Sequence, residues 1–403
     1  MLNYIKNNDI ILGLISAIFF STFIYLSYFG ISFKLINTLL AISALGLFLY
    51  IPKKAILVAG FFIGIFWFYW VGYSFKYNGV GWMLPIVIFT FGLFYSLLFG
   101  LLALTKEVYI RAVLLFLISF IEPFSWNWMQ IELIFIDSYI GILKYQLVIV
   151  LLALSLPNYI NQKYKFIPLL LIILALDINY KPQQEAPIKI KLIQTDVKQN
   201  EKWLPQNQLT QVLNNIKYIE KAIDANYDLV VLPESTFPLF MNKYPSLYER
   251  LTLLSKKISI VAGALYRENN LNYNVSYLFQ NGDVKIAKKL VLVPFGEYIP
   301  LPKFARKFIN DTFFASQPDF VPAKKPTDFM IKGVKFRNAI CYEATTQDIY
   351  VGEVKYVLAM SNNAWFSPSI EPTLQKLLMR YYSKKNHITI YHSANTAGTG
   401  IIR

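Results

Sequence analysis

The chain has 403 residues, of which 55% are hydrophobic and only 16% are charged, and its mean hydropathy is +0.41. This composition excludes an ordinary fully soluble protein and is typical of a membrane protein. One cysteine, Cys341, excludes an internal disulfide framework. The net charge of +15 does not indicate nucleic-acid binding, because the basic residues are scattered and form no dense run with interleaved aromatic residues. Lysines that flank membrane spans and lie near anionic lipids explain it better.

Charged residues are spread unevenly along the chain. Residues 1–181 contain 17 of the 63 Asp, Glu, Lys and Arg residues, and residues 182–403 contain the other 46. The stretch NYKPQQEAP, at 179–187, interrupts the apolar pattern with proline, glutamine and charge, as a linker does. We therefore predict a transmembrane helical domain at residues 1–181 and a globular domain at residues 182–403.

The first domain contains about seven apolar segments that are candidates for membrane spans. A span needs ~20 mostly apolar residues to cross ~30 Å of hydrocarbon. The candidates are residues 10–29, 35–51, 55–75, 82–104, 109–124, 139–157 and 164–179. No small-residue cleavage site follows the first of them, so we expect an uncleaved span there rather than a signal peptide.

The loop EPFSWNWMQIELIFID, at 122–137, combines three acidic residues with Trp126 and Trp128. Tryptophan is enriched where a protein meets the lipid headgroups. We expect a membrane-surface segment with its indoles at headgroup level, and a role in shaping a lipid entrance is the alternative.

Loop charges favour an N-terminus in the cytoplasm, where short loops carry an excess of lysine and arginine. With this orientation the cytoplasmic side receives seven basic residues, namely Lys6, Lys53, Lys54, Lys106, Arg111, Lys163 and Lys165. The opposite side receives three, Lys34, Lys76 and Lys181. Seven crossings then place the second domain outside the cytoplasm, and one crossing fewer would invert this prediction.

In the second domain, predicted strands alternate with predicted helices. The strands are expected at residues 188–197, 228–234, 258–265, 273–279, 284–293, 356–362 and 388–398, with a hairpin through 330–343. The helices are expected at residues 206–225, 246–257 and 370–386. Alternation of this kind, with hairpins mixed in, predicts a layered α/β domain.

Cys341 needs a base or a nearby cation if it is to react, because the thiolate is the nucleophilic form. Histidine is the usual base, and His387 and His392 are the only histidines. Neither belongs to a recognisable Cys-His signature. Charged residues at the ends of predicted strands are the other candidates, namely Glu234, Lys289 and Glu297. Taken singly, each of them is more often a solvated loop residue or a helix cap.

Four motifs in a fixed order change that interpretation. LPES, KKLVLVPFGEYIP, AICYE and SNNAWF together resemble the motifs of the nitrilase superfamily. Because they follow a multispan membrane half, the chain resembles the apolipoprotein N-acyltransferase family still more closely, and LVPFGEY-P is particularly characteristic of that family. The resemblance covers nearly the whole chain. It implies that the second domain is a nitrilase-like α-β-β-α sandwich.

The resemblance also implies a Glu-Lys-Cys triad. Cys341 matches the nucleophile, Glu234 the general base that takes its proton, and Lys289 the cation that stabilises the oxyanion. Glu297 matches a second essential carboxylate, which orients the lysine or the acceptor amine.

Three further positions match residues that support the family's site or handle its substrate. Tyr342 and Glu343 match the supporting residues that follow the nucleophile. Trp203, in NEKWLP, matches a tryptophan implicated in substrate binding.

The implied reaction is a two-step acyl transfer at the periplasmic face of a bacterial inner membrane. Cys341 would take an acyl chain from a phospholipid, typically phosphatidylethanolamine at the sn-1 position, and hold it as a thioester. The α-amine of the N-terminal S-diacylglyceryl cysteine of an apolipoprotein would then receive it. The resemblance implies no metal and no other cofactor, and no nucleic acid as a partner.

Two alternatives compete with this function. A membrane-tethered carbon-nitrogen hydrolase, an amidase or nitrilase, would pass the acyl group to water instead of to an amine. A non-enzymatic lipoprotein-binding or transport protein is disfavoured by the complete Glu-Lys-Cys set and by spans that carry almost no charge.

The chain departs from the family pattern in three places. Ala287 stands where a tyrosine is expected two residues before Lys289. The helix after SNNAWF carries Gln375, Arg380 and Lys385 at the positions nearest to the family's Gln-His pair and Arg-Ala-(x)-Glu pattern. The family usually continues through further strands into an eighth span, whereas this sequence ends at Arg403.

Overall fold

The computed structural model describes residues 7–123, 126–294, 296–298 and 320–403. The chain divides into two compact units, Met1–Lys181 and Pro182–Arg403. The first unit is helical, and the second contains two β-sheets with helices against them.

The first unit contains six α-helices in its described part. They are α1 (Asn7–Tyr28), α2 (Lys34–Tyr50), α3 (Lys53–Phe68), α4 (Leu84–Gly100), α5 (Val108–Ile118) and α6 (Lys144–Ser155). Three continuous helical stretches are long and apolar enough to cross a membrane, Asn7–Tyr28, Lys53–Tyr77 and Gly81–Leu104. They coincide with the first, third and fourth predicted spans. The total of about seven spans stays a prediction, since α2, α5 and α6 are shorter and residues 167–175 form a 3-10 helix.

Glycines allow α3 and α4 to pack closely. A Cβ atom at Gly60 would lie 2.6 Å from the carbonyl oxygen of Tyr95, and one at Gly64 would lie 2.5 Å from that of Phe91. Small residues at helix contacts are typical of membrane domains, where close packing replaces the hydrophobic effect as the source of association. A larger residue at either position would push the two helices apart.

The loop at 122–137 is not a membrane-surface segment in its described part, and that prediction is wrong. Trp128 is buried, and the 3-10 helix Ile131–Phe135 is buried throughout. Glu132 is also fully buried, and its carboxylate lies 2.6 Å from the ammonium of Lys144 on α6. This countercharge makes it possible to bury an acidic residue inside the helical unit, which the sequence pattern of the loop alone does not reveal.

The second unit contains two sheets. The first has six strands, β1 (Ile190–Leu192), β2 (Leu229–Val231), β3 (Phe237–Phe240), β4 (Ser259–Glu268), β5 (Leu271–Gln280) and β6 (Asp283–Lys288). Their order is β1-β2-β4-β5-β6, with β3 paired to β4. The strands β1, β2 and β4 are parallel, and β4, β5 and β6 form an antiparallel meander.

The second sheet has five strands, β7 (Asp328–Ile331), β8 (Val334–Ile340), β9 (Tyr356–Asn362), β10 (Thr389–Asn395) and β11 (Gly400–Ile402). Their order is β11-β10-β9-β8-β7, and the three central strands are parallel. In the described part of this unit the α-helices are α7 (Gln199–Lys202), α8 (Pro205–Asp224), α9 (Pro245–Leu254) and α10 (Glu371–Asn386).

Alternating side chains place the two sheets face to face. In β2, Leu229 and Val231 pack against Phe336 and Leu358 of the second sheet. The intervening Val230 points the other way, as the period of two in a strand requires, and packs in the cluster formed with α8 and α9. The layered α/β architecture predicted from the sequence is thereby confirmed.

Helix α8 follows directly from its sequence. Pro205 stands at the first helical position, where its missing N–H costs nothing. Apolar residues recur at helical spacing and face the first sheet, namely Val212, Ile216, Ile219 and Ile223. Polar residues on the same helix reach the loop after β2.

Candidate active site

The residues singled out at strand ends lie just after strands of the two sheets. Glu234 comes three residues after β2, Lys289 directly follows β6, and Cys341 directly follows β8. Glu234 and Lys289 are buried, whereas Cys341 keeps some exposure. The predicted strand 284–293 ends early, at Lys288, and this lets the chain turn as the side chain of Lys289 enters the site.

Lys289 lies between two carboxylates. Its Nζ is 2.7 Å from Oε2 of Glu297 and 3.6 Å from Oε1 of Glu234. Burial alone would lower the pKa of Lys289, but the charges of Glu297 and Glu234 outweigh it and raise that pKa well above its usual range. Lys289 is therefore a permanent cation over any ordinary pH range.

Asn274, on β5, contacts the same two carboxylates. Its Nδ2 donates to Oε1 of Glu234 at 2.8 Å and to Oε1 of Glu297 at 2.9 Å. The backbone N–H of Asn362 donates to Oε2 of Glu234 at 3.0 Å. These charge-assisted bonds fix the orientation of Glu234.

Cys341 begins a short 3-10 helix and has φ +54°, in the left-handed region. A non-glycine residue held there is a sparsely populated conformation of the kind that clusters at functional sites. Burial and the charge of Glu234 raise the pKa of the thiol well above its usual range, although Lys289 acts in the opposite direction. The resting sulfur is therefore protonated and needs a base. The amide Nε2 of Gln375, on α10, lies 3.8 Å from Sγ.

Glu343 connects the end of β6 to the end of β8 through hydrogen bonds. Its carboxylate accepts hydrogen bonds from the backbone N–H groups of Leu290, Val291 and Ile340, the first two just after Lys289 and the third just before Cys341. Burial raises the pKa of Glu343 to about 7, against the influence of Lys289 and the backbone donors. Tyr342, beside it, is also buried. A supporting role for Glu343 and Tyr342 stays a prediction.

Trp203 lies at the end of α7, and 42% of its surface is exposed. The ammonium of the neighbouring residue Lys202 donates a hydrogen bond to the backbone carbonyl of Glu234 at 3.1 Å.

Sequence reasoning missed Lys202, Asn274 and Glu371. Glu371, in the first turn of α10, is buried, and burial followed by the charge of Glu234 raises its pKa well above the usual range. Its neutral, protonated form is therefore favoured. Of these three residues, only Asn274 could have been found from the sequence, because polar residues alternate with apolar ones along β5. That alternation does not show which face of the sheet is buried.

Neither histidine contacts Cys341. The ring nitrogens of His392 are bonded to the carbonyl of Gly398 and the hydroxyl of Ser361, both at 2.8 Å. Burial lowers the pKa of His392 to about 4, so it is neutral. His387 is exposed at the end of α10. Across the described ranges, no group of three or more His, Cys, Asp or Glu residues is arranged to hold a metal ion.

The fold of the second unit defines a carbon-nitrogen hydrolase domain, and the model of that family, "Carbon-nitrogen hydrolase", matches residues 197–402. A solved carbon-nitrogen hydrolase superfamily protein from Xanthomonas campestris aligns with 53% of this chain and 77% of its own at 14% identity, with a TM-score of 0.41. The model "Apolipoprotein N-acyltransferase integral membrane domain" matches residues 7–178.

Curated relatives extend the match over almost the whole chain. The apolipoprotein N-acyltransferase of Wolinella succinogenes is 40% identical over 97% of this chain and 95% of its own length. That of Helicobacter hepaticus is 36% identical over 92% of this chain and 95% of its own length. The chain belongs to the apolipoprotein N-acyltransferase family. It is accordingly an acyltransferase of a bacterial membrane.

Proposed function

We propose that this protein moves an acyl chain from a phospholipid to Cys341, and from Cys341 to the α-amine of the N-terminal S-diacylglyceryl cysteine of an apolipoprotein. One observation carries the proposal. The chain's single thiol follows β8 in a centre where a buried lysine lies 2.7 Å and 3.6 Å from two carboxylates. A base, a fixed cation and a nucleophile are what acyl transfer through a covalent intermediate requires.

In the first half-reaction, Glu234 accepts the proton of the Cys341 thiol, and the sulfur attacks the carbonyl carbon of the phospholipid ester. Lys289 stabilises the negative charge that develops on the carbonyl oxygen. The C–O bond then breaks, and Glu234 returns its proton to the departing glycerol oxygen. A lysophospholipid leaves, and the acyl group remains as a thioester.

In the second half-reaction, the neutral α-amine attacks the thioester carbon. Glu234, ionised again, accepts a proton from the nitrogen. The C–S bond breaks, an amide is released, and the sulfur regains a proton. Glu297 keeps Lys289 in place during both steps, while Trp203 contributes to binding the substrates from its exposed position.

The location follows from the substrates. Both are anchored in lipid, so a catalytic domain tethered to the membrane remains where they are. We place residues 1–181 in the inner membrane with the N-terminus in the cytoplasm, and residues 182–403 in the periplasm as the catalytic domain. The excess of basic residues in alternate loops supports this orientation.

The test is the mass of a product. Purified protein, phospholipid vesicles and a synthetic diacylglyceryl lipopeptide with a free α-amine are expected to yield the lipopeptide with one added acyl chain. The same peptide with an acetylated α-amine is expected to stay unchanged, as is the free peptide when the Cys341→Ala variant is used. Release of free fatty acid without acylated peptide would contradict the transferase and would favour the carbon-nitrogen hydrolase alternative.

A further inference from the structure

Lys202 is a buried lysine whose position the proposed mechanism leaves unexplained. Only 2% of its surface is exposed. Its ammonium donates to the backbone carbonyl of Glu234 at 3.1 Å, and among the described residues it forms no salt bridge. Lysine is almost never buried this completely unless it is paired, because removing an ammonium from water is costly. A reason for the charge is therefore required.

Hydrogen bonding alone does not supply that reason. Two neutral amides of helix α8 bind the chain just after Glu234, since Asn215 donates to the carbonyl of Thr236 at 2.7 Å and Gln208 donates to that of Pro238, in β3, at 3.1 Å. Together with Lys202 they hold the segment that contains Ser235, whose φ is +48°. Neutral amides suffice for two of the three carbonyls, so the third does not need an ammonium merely as a donor.

The electrostatic surroundings do supply it. Burial lowers the pKa of Lys202 to about 8, and the charges of Glu234 and Cys341 act in the opposite direction. Lys202 is thus mostly protonated at pH 7. Besides Lys202, the charged groups that act on Cys341 are Glu234, Lys289, Glu371 and Glu297, of which only Lys289 is a cation, and it is already held between two carboxylates. Lys202 adds a second positive charge to a centre that is otherwise dominated by acids.

We propose that Lys202 is a positioning residue for Glu234, which fixes the turn after β2 and holds a positive charge beside the carboxylate and the thiol. This inference rests on the proposed function. The charge favours the ionised carboxylate that must accept the proton and the thiolate that forms next. As Lys202 loses its proton above about pH 8, formation of the acyl-enzyme slows.

The test uses the fact that Cys341 is the only thiol in the chain. The rate at which iodoacetamide alkylates the full-length protein, measured from pH 6 to pH 10, reports on this thiol without any phospholipid. A nearby positive charge lowers the pKa of a thiol by about one unit or more, and Lys202 and Cys341 interact electrostatically. Lys202→Met and Lys202→Gln are therefore expected to be alkylated about 10-fold more slowly at pH 7.5. The Gln variant retains a donor and removes only the charge.

Asn215→Ala is the matched control, because it removes a neutral bond to the same segment. It is expected to be alkylated at the wild-type rate. Wild-type alkylation of both Lys202 variants would overturn the inference, and so would equal slowing in Asn215→Ala, which would mark a purely structural effect.

A second measurement needs no variant. The rate of acylation of the wild-type protein by labelled phospholipid is expected to fall above about pH 8, and a rate that keeps rising to pH 9.5 would contradict the role of Lys202. If wild-type protein forms no acyl-enzyme at all, the proposed function fails, and the alkylation contrast still decides the role of Lys202.

Discussion

Asn274 is the residue whose replacement tests the geometry of the carboxylates most sharply. Its single Nδ2 group donates to Glu234 at 2.8 Å and to Glu297 at 2.9 Å. In Asn274→Leu both bonds are lost, while the apolar side chain occupies a similar volume in β5. Glu234 then keeps the N–H of Asn362 and the ammonium of Lys289, 3.6 Å away, and its connection to Glu297 runs through that lysine, which lies 2.7 Å from Glu297.

The size of the effect follows from the kind of bonds that are removed. A hydrogen bond to a charged group contributes about 1.5–3 kcal/mol. Losing the one that orients the base, with partial compensation by the remaining partners, is expected to cost about 2–3 kcal/mol in the transition state. Since about 1.4 kcal/mol corresponds to a tenfold change in rate, Asn274→Leu should form the acyl-enzyme about 30- to 150-fold more slowly. Asn274→Asp should be slower still, because it adds a third carboxylate.

The assay is the rate of transfer of label from phospholipid to protein, measured without acceptor. Ser276→Ala is the control, since Ser276 lies two residues along the same face of β5, is equally buried, and bonds to Asn338 rather than to the carboxylates. It is expected to acylate at close to the wild-type rate. Wild-type acylation by Asn274→Leu, in protein that is folded, would refute the idea that Asn274 positions Glu234.

Three further expectations concern protonation and topology. Glu371→Gln should keep activity within about threefold and should be no less stable at pH 8. Burial raises the pKa of Glu371 and so favours its neutral form in the folded protein, and such a group contributes less stability as pH rises. A tenfold loss of activity would show that the ionised form is needed. The thermal unfolding midpoint should fall as pH drops from 6.5 towards 4. Burial lowers the pKa of His392 to about 4, so the unfolded state binds this proton first. Each pH unit in this range then favours the unfolded state by about 1.4 kcal/mol. His392→Gln should flatten this dependence, and an unchanged slope would assign it to other groups. In a Cys341→Ala background, Asn207→Cys should react with an impermeant thiol reagent added from the periplasmic side, and Lys163→Cys should not; the reverse pattern would invert the proposed topology.

The sequence predicted the α/β layers well, because local periodicity carries that information. The helix expected at 206–225 is α8, Pro205–Asp224, and the hairpin at 330–343 corresponds to β7 and β8. The short strands β3 and β11, of four and three residues, were not predicted, since such lengths leave no readable period. The loop at 122–137 was misassigned because Lys144, which neutralises the buried Glu132, belongs to a helix elsewhere in the unit.

Part of the candidate site could be predicted, because some of its residues stand in local sequence motifs. Glu234, Lys289 and Cys341 stand in motifs that can be recognised along the chain. Lys202 and Asn274 stand in no recognised motif, and they matter only because folding brings α7 and β5 to the loop after β2. Contacts between residues far apart in sequence are the part of a site that periodicity and motifs do not contain.

The central claim is a covalent acyl-enzyme on Cys341, and one measurement tests it most directly. Protein is incubated with phospholipid labelled in its acyl chain, without acceptor, and then treated with neutral hydroxylamine, which cleaves thioesters and not amides. We expect about one labelled acyl group per chain on Cys341, released by hydroxylamine and discharged onto an added diacylglyceryl peptide with a free α-amine, as ping-pong transfer requires. Catalytically active protein that carries no label, or a label that the Cys341→Ala variant retains, would contradict the account.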